Sequence, residues 1–203
     1  VPVETEFGRK RAIDQSACNK DYSCEKGFCP SFVSVLGGGV KKGRGLAVAG
    51  DDIAAPPAPV LASTAKPFGI LVTGVGGTGV VTIGALIGMA AHIDGKGVTV
   101  LDMTGLAQKG GAVFSHVRIC DDPEDIHAVR VATGEADAVI GGDAIVTASP
   151  DALARMYAGR TRVVANCAET PTADFTRNPD RQFPLSRMQA AIGAAVGEGA
   201  AHF

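Results

Sequence analysis

The chain beyond Pro67 is predicted to fold as an α/β domain built on an open, mostly parallel sheet. Short apolar runs alternate there with Gly-rich turns and with longer segments of helical length, which is the sequence pattern of βαβ units. The first apolar run is continuous, as expected for a strand buried on both faces of a sheet. With 203 residues, 46% of them hydrophobic, the chain can form one such core and a smaller appended unit.

The pattern predicts each element of this domain in chain order. Five strands are predicted, at residues 68–73, 98–102, 112–119, 136–140 and 162–165. Helices are predicted at residues 79–92, 150–157 and 185–195. The first helix carries Gly84, Ala85 and Gly88, small residues that would let it lie close to the sheet. Gly193 lowers the helix propensity of the last segment.

Composition divides the chain into three regions. Residues 1–36 contain three of the five cysteines, and residues 37–66 form a linker rich in glycine and proline, which buries too little apolar area to fold. Residues 67–203 form the α/β domain. The chain does not begin with methionine and ends just after a Gly/Ala-rich run, which predicts a piece of a longer polypeptide, truncated at both ends.

Charge and hydropathy exclude several function classes. Lys and Arg number 19 against 21 Asp and Glu, and they form no basic stripe, so nucleic acid is not an expected partner. The apolar runs fall short of the roughly 20 residues that a membrane helix needs. The first residues lack the apolar run of a secretory signal, which favours a reducing, cytoplasmic setting.

The cysteine group predicts a metal centre. Three cysteines lie within twelve residues and the last is followed by Pro30: Cys18, Cys24 and Cys29. Closely spaced thiolates can converge on one iron–sulfur cluster, and a final Cys-Pro is typical of bacterial ferredoxin segments. Three ligands do not complete a four-cysteine cluster, so the missing ligands are expected upstream.

Other readings of the cysteines stay open. A zinc site or free thiols would also fit, although zinc usually shows paired Cys-x-x-Cys spacing, and a disulfide is disfavoured in a reducing compartment. Cys120 and Cys167 lie in or beside predicted core strands, where an inert buried thiol is the common role.

A glycine loop follows the first strand. Gly74, Gly76 and Gly79 have the Gly-x-Gly-x-x-Gly spacing of a Rossmann-like strand-to-helix turn, whose backbone amides can point at a phosphate. Asp102 ends the next predicted strand, where a dinucleotide fold places its ribose-binding acid. The loop alone fits a nicotinamide or flavin site, or a turn that binds nothing.

A second glycine loop, residues 105–111, follows the second strand. It departs from a dinucleotide domain because the chain turns through Gly110 and Gly111 into an extended run instead of a helix. Two glycine loops at the ends of adjacent parallel strands would share one crevice, where Lys109 and backbone amides could hold an anion. His116 on the next strand is either a proton donor or a structural hydrogen-bonded residue. Arg118 is expected to pair with a neighbouring acid or to cover an edge of the sheet.

Taken together, three stretches resemble the 2-oxoacid:ferredoxin oxidoreductases, and within them the indolepyruvate ferredoxin oxidoreductases in their long fused form. These stretches are residues 13–24 with 27–30, residues 74–81, and residues 104–113 with 115–118. The third is far more specific than a glycine loop. The resemblance implies that this chain joins the end of a ferredoxin-like domain to the gamma-type domain of such an enzyme.

The resemblance also implies an activity. Such an enzyme decarboxylates an aryl or branched 2-oxoacid on thiamine diphosphate, passes two electrons through [4Fe-4S] clusters to ferredoxin, and transfers the acyl group to coenzyme A. Thiamine-binding and pyrimidine-binding domains lie elsewhere in the enzyme, which is expected to be oligomeric. No Gly-Asp-Gly thiamine signature occurs here, so the chain should be inactive alone and hold no catalytic residue.

The resemblance assigns roles to two residue sets. Cys18, Cys24 and Cys29 match the second cysteine group of the family, with Cys29 able to ligate the partner cluster. The candidate cofactor-binding residues, facing coenzyme A or the sister domains, are Gly74, Gly76, Gly77, Thr78, Gly79, Gln108, Lys109, Gly110 and Gly111. Gln108, His116 and Arg118 are alternative contacts to the thiamine-binding domain.

Two other functions remain open from the sequence. The first is a nicotinamide- or flavin-dependent oxidoreductase with an iron–sulfur appendage, argued from the first glycine loop and Asp102. The second is a non-catalytic electron-relay module whose α/β fold only binds sister domains.

Overall fold

The structure is a computed structural model that describes residues 2–11, 36–38, 57–105, 111–168 and 183–203. The chain divides into two compact units, one made of Val1–Ala17 with Ser63–Phe203 and the other of Cys18–Ala62. The predicted cysteine cluster and the loop residues Gln108, Lys109 and Gly110 lie outside the described residues. The predicted division at residues 36 and 66 stays a prediction.

A short hairpin that the sequence analysis did not predict lies near the start of the chain. Strands β1 (Pro2–Thr5) and β2 (Gly8–Arg11) pair antiparallel. Gly8 has a positive φ of 84°, which the tight turn requires, and the Thr5 hydroxyl donates to the Gly8 carbonyl at 2.7 Å.

The main sheet has six strands in the order β4-β5-β3-β6-β7-β8. They are β3 (Phe68–Val75), β4 (Gly97–Thr104), β5 (Ala112–Cys120), β6 (Ala138–Gly141), β7 (Arg162–Ala165) and β8 (Ala201–His202). All run in one direction except β5, which pairs antiparallel with both β3 and β4. The predicted α/β fold with a mostly parallel sheet is confirmed, and every predicted strand lies within two residues of its expected bounds.

One topological expectation is wrong. The strands before the two glycine loops, β3 and β4, are not adjacent because β5 lies between them. The connection from β4 to β5 is too short for the crossover that a parallel neighbour needs, so the chain reverses and pairs on both sides.

Helices α1 (Val80–Ile93) and α4 (Leu185–Val196) match their predicted ranges. The helix predicted at residues 150–157 is instead one turn, α3 (Pro150–Leu153), preceded by another turn, α2 (Ala144–Thr147). Helix α3 ends early because the amides of Arg155 and Met156 bond to carbonyls three residues back, which tightens the last turn. Among the described residues, no helix is long and apolar enough to cross a membrane.

The core lies on the face of the sheet that α2, α3 and α4 cover. Its buried members come from the strands, from the connecting segments and from these helices: Leu71, Val131, Ala136, Val139, Ala152, Met156, Val163, Ala165, Ile192, Val196 and Ala200. Side chains alternate between the faces along a strand, so Val72 and Ser115, which pair across β3 and β5, point to the other face. Helix α1 covers that face.

Two glycines let α1 lie against the sheet. A Cβ on Gly84 would stand 2.1 Å from the Ser115 Oγ, and one on Gly88 would stand 2.6 Å from the Val100 Cγ2. Both distances are far below contact, so a larger residue at either position would force the neighbouring side chain or the helix to shift. Ala85 is exposed, so two of the three predicted small residues make the close approach.

Candidate functional site

The first glycine loop contacts the last residue of the second, Gly111, at the carboxyl end of β3. Because β5 runs antiparallel to β3, its first residue, Ala112, pairs with the last residue of β3, Val75. The Gly76 amide donates to the Gly111 carbonyl at 2.8 Å and joins the loops directly. Residues 106–110 of the second loop lie outside the described residues, so the shared crevice stays a prediction, and the strands that precede the two loops are not neighbours.

The first loop is built by its own backbone. Gly77 and Gly79 have positive φ angles of 103° and 83°, the left-handed conformation that glycine adopts without strain. The Thr78 hydroxyl donates to the Val75 carbonyl at 2.8 Å. A Cβ on Gly74 would stand 2.3 Å from the Thr78 Oγ1, so the loop folds back onto the end of β3.

Asp143, which the sequence analysis missed, lies behind this loop. It is 3% exposed, and its two carboxylate oxygens accept from the Val75 amide at 2.5 Å and from the Val146 amide at 2.8 Å. The second bond caps α2, while the first ties the carboxylate to the glycine loop. The sequence does contain a pattern that indicates this role, because Gly-Gly-Asp directly after a predicted strand is typical of a helix N-cap.

These bonds define where the loop can bind an anion. The amides of Val75 and Gly76 already donate to protein acceptors, so they are occupied. Helix α1 begins at Val80, and its N-cap residue, Gly79, offers no side-chain cap; the first turn holds no acidic residue. The positive end of this helix is therefore the part of the loop best suited to a phosphate.

Asp102 does not occupy the position of a ribose-binding acid. It lies inside β4, two residues before the strand ends, and β5 separates β4 from β3. Two strand spacings, about 10 Å, stand between its strand and the strand that leads into the glycine loop. A dinucleotide fold places that acid on the neighbouring strand, so this geometry does not favour the nicotinamide alternative.

His116 is a structural residue. It is fully buried, and its Nδ1 accepts from the Val131 amide at 3.2 Å. Burial lowers the pKa of His116 from 6.5 to about 4, and the positive charges of Arg155 and Arg130 act in the same direction. The imidazole is therefore neutral near pH 7, and its burial within this chain favours the structural role.

Arg118 pairs with an acid, as predicted. Its guanidinium lies 3.3 Å from a Glu135 carboxylate oxygen and donates to the Arg130 carbonyl at 3.3 Å. The Arg118 side chain is 12% exposed. Its place beside Glu135, at the end of β5 opposite the glycine loops, separates it from the candidate crevice.

The buried His116 predicts a pH dependence of stability. Its folded pKa lies below the unfolded value, so the unfolded state binds more protons between about pH 6.5 and pH 4. The free energy of unfolding should therefore be highest above pH 6.5 and fall by up to about 3 kcal/mol as the pH drops to 4. Urea unfolding at several pH values between 7 and 4.5 measures this change in the free energy of unfolding. A His116→Asn variant, which keeps an acceptor for Val131, should lose most of this slope; an unchanged slope would assign it to other groups.

The two cysteines that the structure describes differ from each other. Cys120 is fully buried, as expected for an inert core thiol. Cys167 is partly exposed just beyond β7, where its sulfur accepts from the Gln189 side chain at 3.4 Å. No group of three potential metal ligands occurs among the residues that the structure describes. The predicted cluster ligands lie outside those residues and stay a prediction.

Comparisons with known proteins agree on one family. The family model described as pyruvate ferredoxin/flavodoxin oxidoreductase matches residues 69–196, more than half of the chain. The indolepyruvate oxidoreductase subunit IorB of Methanothermobacter thermautotrophicus is 28% identical over 130 residues, which cover 64% of this chain and 63% of that protein. The subunit of the same name from Thermococcus kodakarensis is 37% identical over 75 residues, 37% of this chain and 36% of that protein.

Among solved structures, the pyruvate oxidoreductase subunit PORC of Thermotoga maritima is similar, with 19% identity and a TM-score of 0.41, covering 65% of this chain and 79% of that one. The chain spans less than two thirds of the length of the two curated relatives named above. The family match contains the whole first glycine loop, the whole second loop and α1. On this match, the chain belongs to the pyruvate ferredoxin/flavodoxin oxidoreductase family.

Proposed function

We propose that this chain is the gamma-type part of a 2-oxoacid:ferredoxin oxidoreductase of the indolepyruvate type. That enzyme would convert an aryl 2-oxoacid to acyl-CoA and CO2 with reduction of ferredoxin. The family match over both glycine loops carries the proposal, and relatives named as indolepyruvate oxidoreductase subunits support the substrate class. Thiamine-binding and pyrimidine-binding domains would belong to other parts of the enzyme.

The residues of this chain would contribute to the reaction in two ways. Removal of CO2 leaves carbanion-like charge, which thiamine diphosphate delocalises when it is bound by the other domains. Cys18, Cys24 and Cys29 would supply soft thiolate ligands to a [4Fe-4S] cluster that carries electrons away. They are proposed as ligands on their spacing and lie outside the described residues.

The glycine crevice would hold the anionic part of coenzyme A. The proposed residues are Gly74, Gly76, Gly77, Thr78, Gly79, Gln108, Lys109, Gly110 and Gly111. The uncapped start of α1 supports this role because it offers amides and a positive helix end to a phosphate. Lys109 would add the one side-chain charge of the set.

The test uses the assembled enzyme that contains this chain. CoA-dependent ferredoxin reduction is measured with indolepyruvate, pyruvate and 2-oxoglutarate, and indolepyruvate should have the highest kcat/KM. Changing Lys109 to alanine should raise the KM for coenzyme A about tenfold, the effect of losing one charge-assisted hydrogen bond.

Lys66 is the matched control, because it is an exposed lysine that precedes β3 and so lies at the other end of the sheet. Changing Lys66 to alanine should leave the KM for coenzyme A unchanged. Absence of reduction with every aryl 2-oxoacid would refute the proposed activity. An unchanged KM in the Lys109 variant would instead refute the coenzyme A role of the loop alone.

A further inference from the structure

A cavity of about 520 Å³ lies at the amino end of β3, opposite the glycine loops. It is lined by Pro67, which comes just before β3, and by Arg118, which pairs with Gly69 near the end of the antiparallel strand β5. The first glycine loop follows the other end of β3, which is eight residues long. The length of this strand, about 25 Å, therefore separates the cavity from the candidate crevice.

The lining of this cavity brings together ionisable side chains of both signs. They come from β5 and from the segments around it: Lys66, Arg118, Asp125, His127 and Glu135. The rest of the lining is apolar, with one proline and three alanines. Among the described residues, the side chains of Lys66, Asp125 and His127 have no hydrogen-bond or ion-pair partner. An ammonium group, a carboxylate and an imidazole are therefore free to bind a ligand.

Arg118 adds a buried donor to this lining. One terminal nitrogen of its guanidinium donates to the Arg130 carbonyl, and the other lies 3.3 Å from the Glu135 carboxylate. Its Nε is buried and has no hydrogen-bond partner in the part of the chain that the structure describes. A buried N–H group without an acceptor is costly, so an acceptor that a ligand brings into the cavity is favoured beside Arg118.

We propose that this cavity binds a free α-amino acid. The carboxylate of the ligand accepts from Arg118 and Lys66, and its ammonium group donates to Asp125, since Glu135 is already paired with Arg118. A ligand with only a negative group would leave Asp125 beside a like charge, and one with only a positive group would do the same to Lys66. The apolar part of the lining suits an uncharged ligand side chain of moderate size, such as that of leucine.

The burial of these groups sets the direction of the ligand. His116 lies two residues before Arg118 on the same face of β5, and its Nε2 is a second buried donor without a partner among the described residues. The inner end of the cavity therefore offers donors and favours the carboxylate of the ligand. Asp125 is exposed, so the ammonium group of the ligand is held nearer to solvent.

An NMR titration of the full 203-residue chain with L-leucine tests the proposal, which does not depend on the proposed function. Binding should saturate with a dissociation constant at or below about 1 mM. The imidazole signal of His127 should shift, whereas that of His202, on β8 at the far edge of the sheet, should not. 4-Methylpentanoate lacks the ammonium group and isopentylamine lacks the carboxylate, so each should bind at least about tenfold more weakly.

Two variants at the cavity test the assigned contacts. Lys66→Ala and Asp125→Asn should each raise the dissociation constant for leucine about tenfold, because each removes one charge from the contact. Both side chains are exposed, so the variants should fold like the parent chain. Lys10→Ala and Asp94→Asn are the matched controls, since both residues are exposed and do not line the cavity. They should leave the dissociation constant unchanged.

Three results would overturn the proposal. The first is the absence of binding with leucine at about 10 mM. The second is equal affinity for leucine and 4-methylpentanoate, because the ammonium group would then not be recognised. The third is equal affinity for leucine and N-acetyl-leucinamide, because the cavity would then take a segment of peptide chain. Since the cavity lies at the opposite end of β3 from the glycine loop, Lys66→Ala should weaken leucine binding without changing the KM for coenzyme A. The two proposals can therefore fail independently.

Discussion

Replacing Gly84 by alanine is expected to lower the free energy of unfolding by about 3 kcal/mol. The added Cβ would stand 2.1 Å from the Ser115 Oγ and 2.9 Å from its Cβ, and rotation of the Ser115 side chain cannot move the Cβ away. Helix α1 would have to lift from the sheet. This cost exceeds the roughly 1 kcal/mol that alanine gains over glycine in helix propensity. Urea unfolding followed by circular dichroism measures the change.

Gly193 provides a matched control for this prediction. It lies inside α4, and a Cβ there would meet nothing within 4 Å. The same substitution, Gly193→Ala, should therefore raise the free energy of unfolding by up to about 1 kcal/mol. Ser115→Gly should restore much of the loss in a double variant with Gly84→Ala, because it removes the clashing atoms. If Gly84→Ala stabilised the protein as Gly193→Ala does, the close approach of α1 to β5 would be wrong.

The location of the strands could be predicted from the sequence because their signal is local. A continuous apolar run such as Phe68–Val75, followed by a glycine turn, identifies a buried strand without knowledge of its neighbours. The glycines of α1 were informative for the same reason, since small residues at helical spacing indicate the face that approaches a sheet. By contrast, β8 has two residues and too little pattern to be recognised.

Strand order could not be read in this way, because pairing joins residues far apart in the chain. The sequence did contain one usable constraint: only residues 105–111 connect β4 to β5. A crossover between parallel neighbours needs a dozen or more residues, so this connection requires a reversal. The short connection therefore predicts that β5 pairs antiparallel with β4. It does not predict that β5 also pairs with β3.

Around the candidate site, the local glycine pattern could be read from the sequence, whereas contacts between distant residues could not. The glycines of the first loop were recognised by their spacing, and the structure brings Gly76 and Gly111 together as a shared crevice requires. Asp102 was chosen by analogy with a fold whose second strand is adjacent, which is not the case here. Asp143 was missed because its partner Val75 lies 68 residues away. Lys109 and the three clustered cysteines stay predictions.

Asp143 should be essential for the shape of the first glycine loop. Changing it to alanine leaves the Val75 and Val146 amides without their acceptors, both of them bonds to a charged group in a buried setting. Two such bonds correspond to a loss of about 3 kcal/mol in the free energy of unfolding. Asp143→Asn should lose less, because one oxygen remains, but its amide group would face one of the two donors.

Asp122 allows the stability effect to be separated from a general effect of removing an N-cap. Its carboxylate accepts from the Glu124 amide at 2.9 Å in an exposed turn, so Asp122→Ala should cause a much smaller loss.

The two variants should also differ in hydrogen exchange. In Asp143→Asn, the amides of Val75 and Gly76 should exchange faster than in the parent chain, because the loop loses the anchor that holds it to α2. Unchanged exchange at Val75 would mean that the Gly76–Gly111 bond alone fixes the loop. The carboxylate would then serve only α2, and the glycine crevice would be organised by backbone contacts between the two loops.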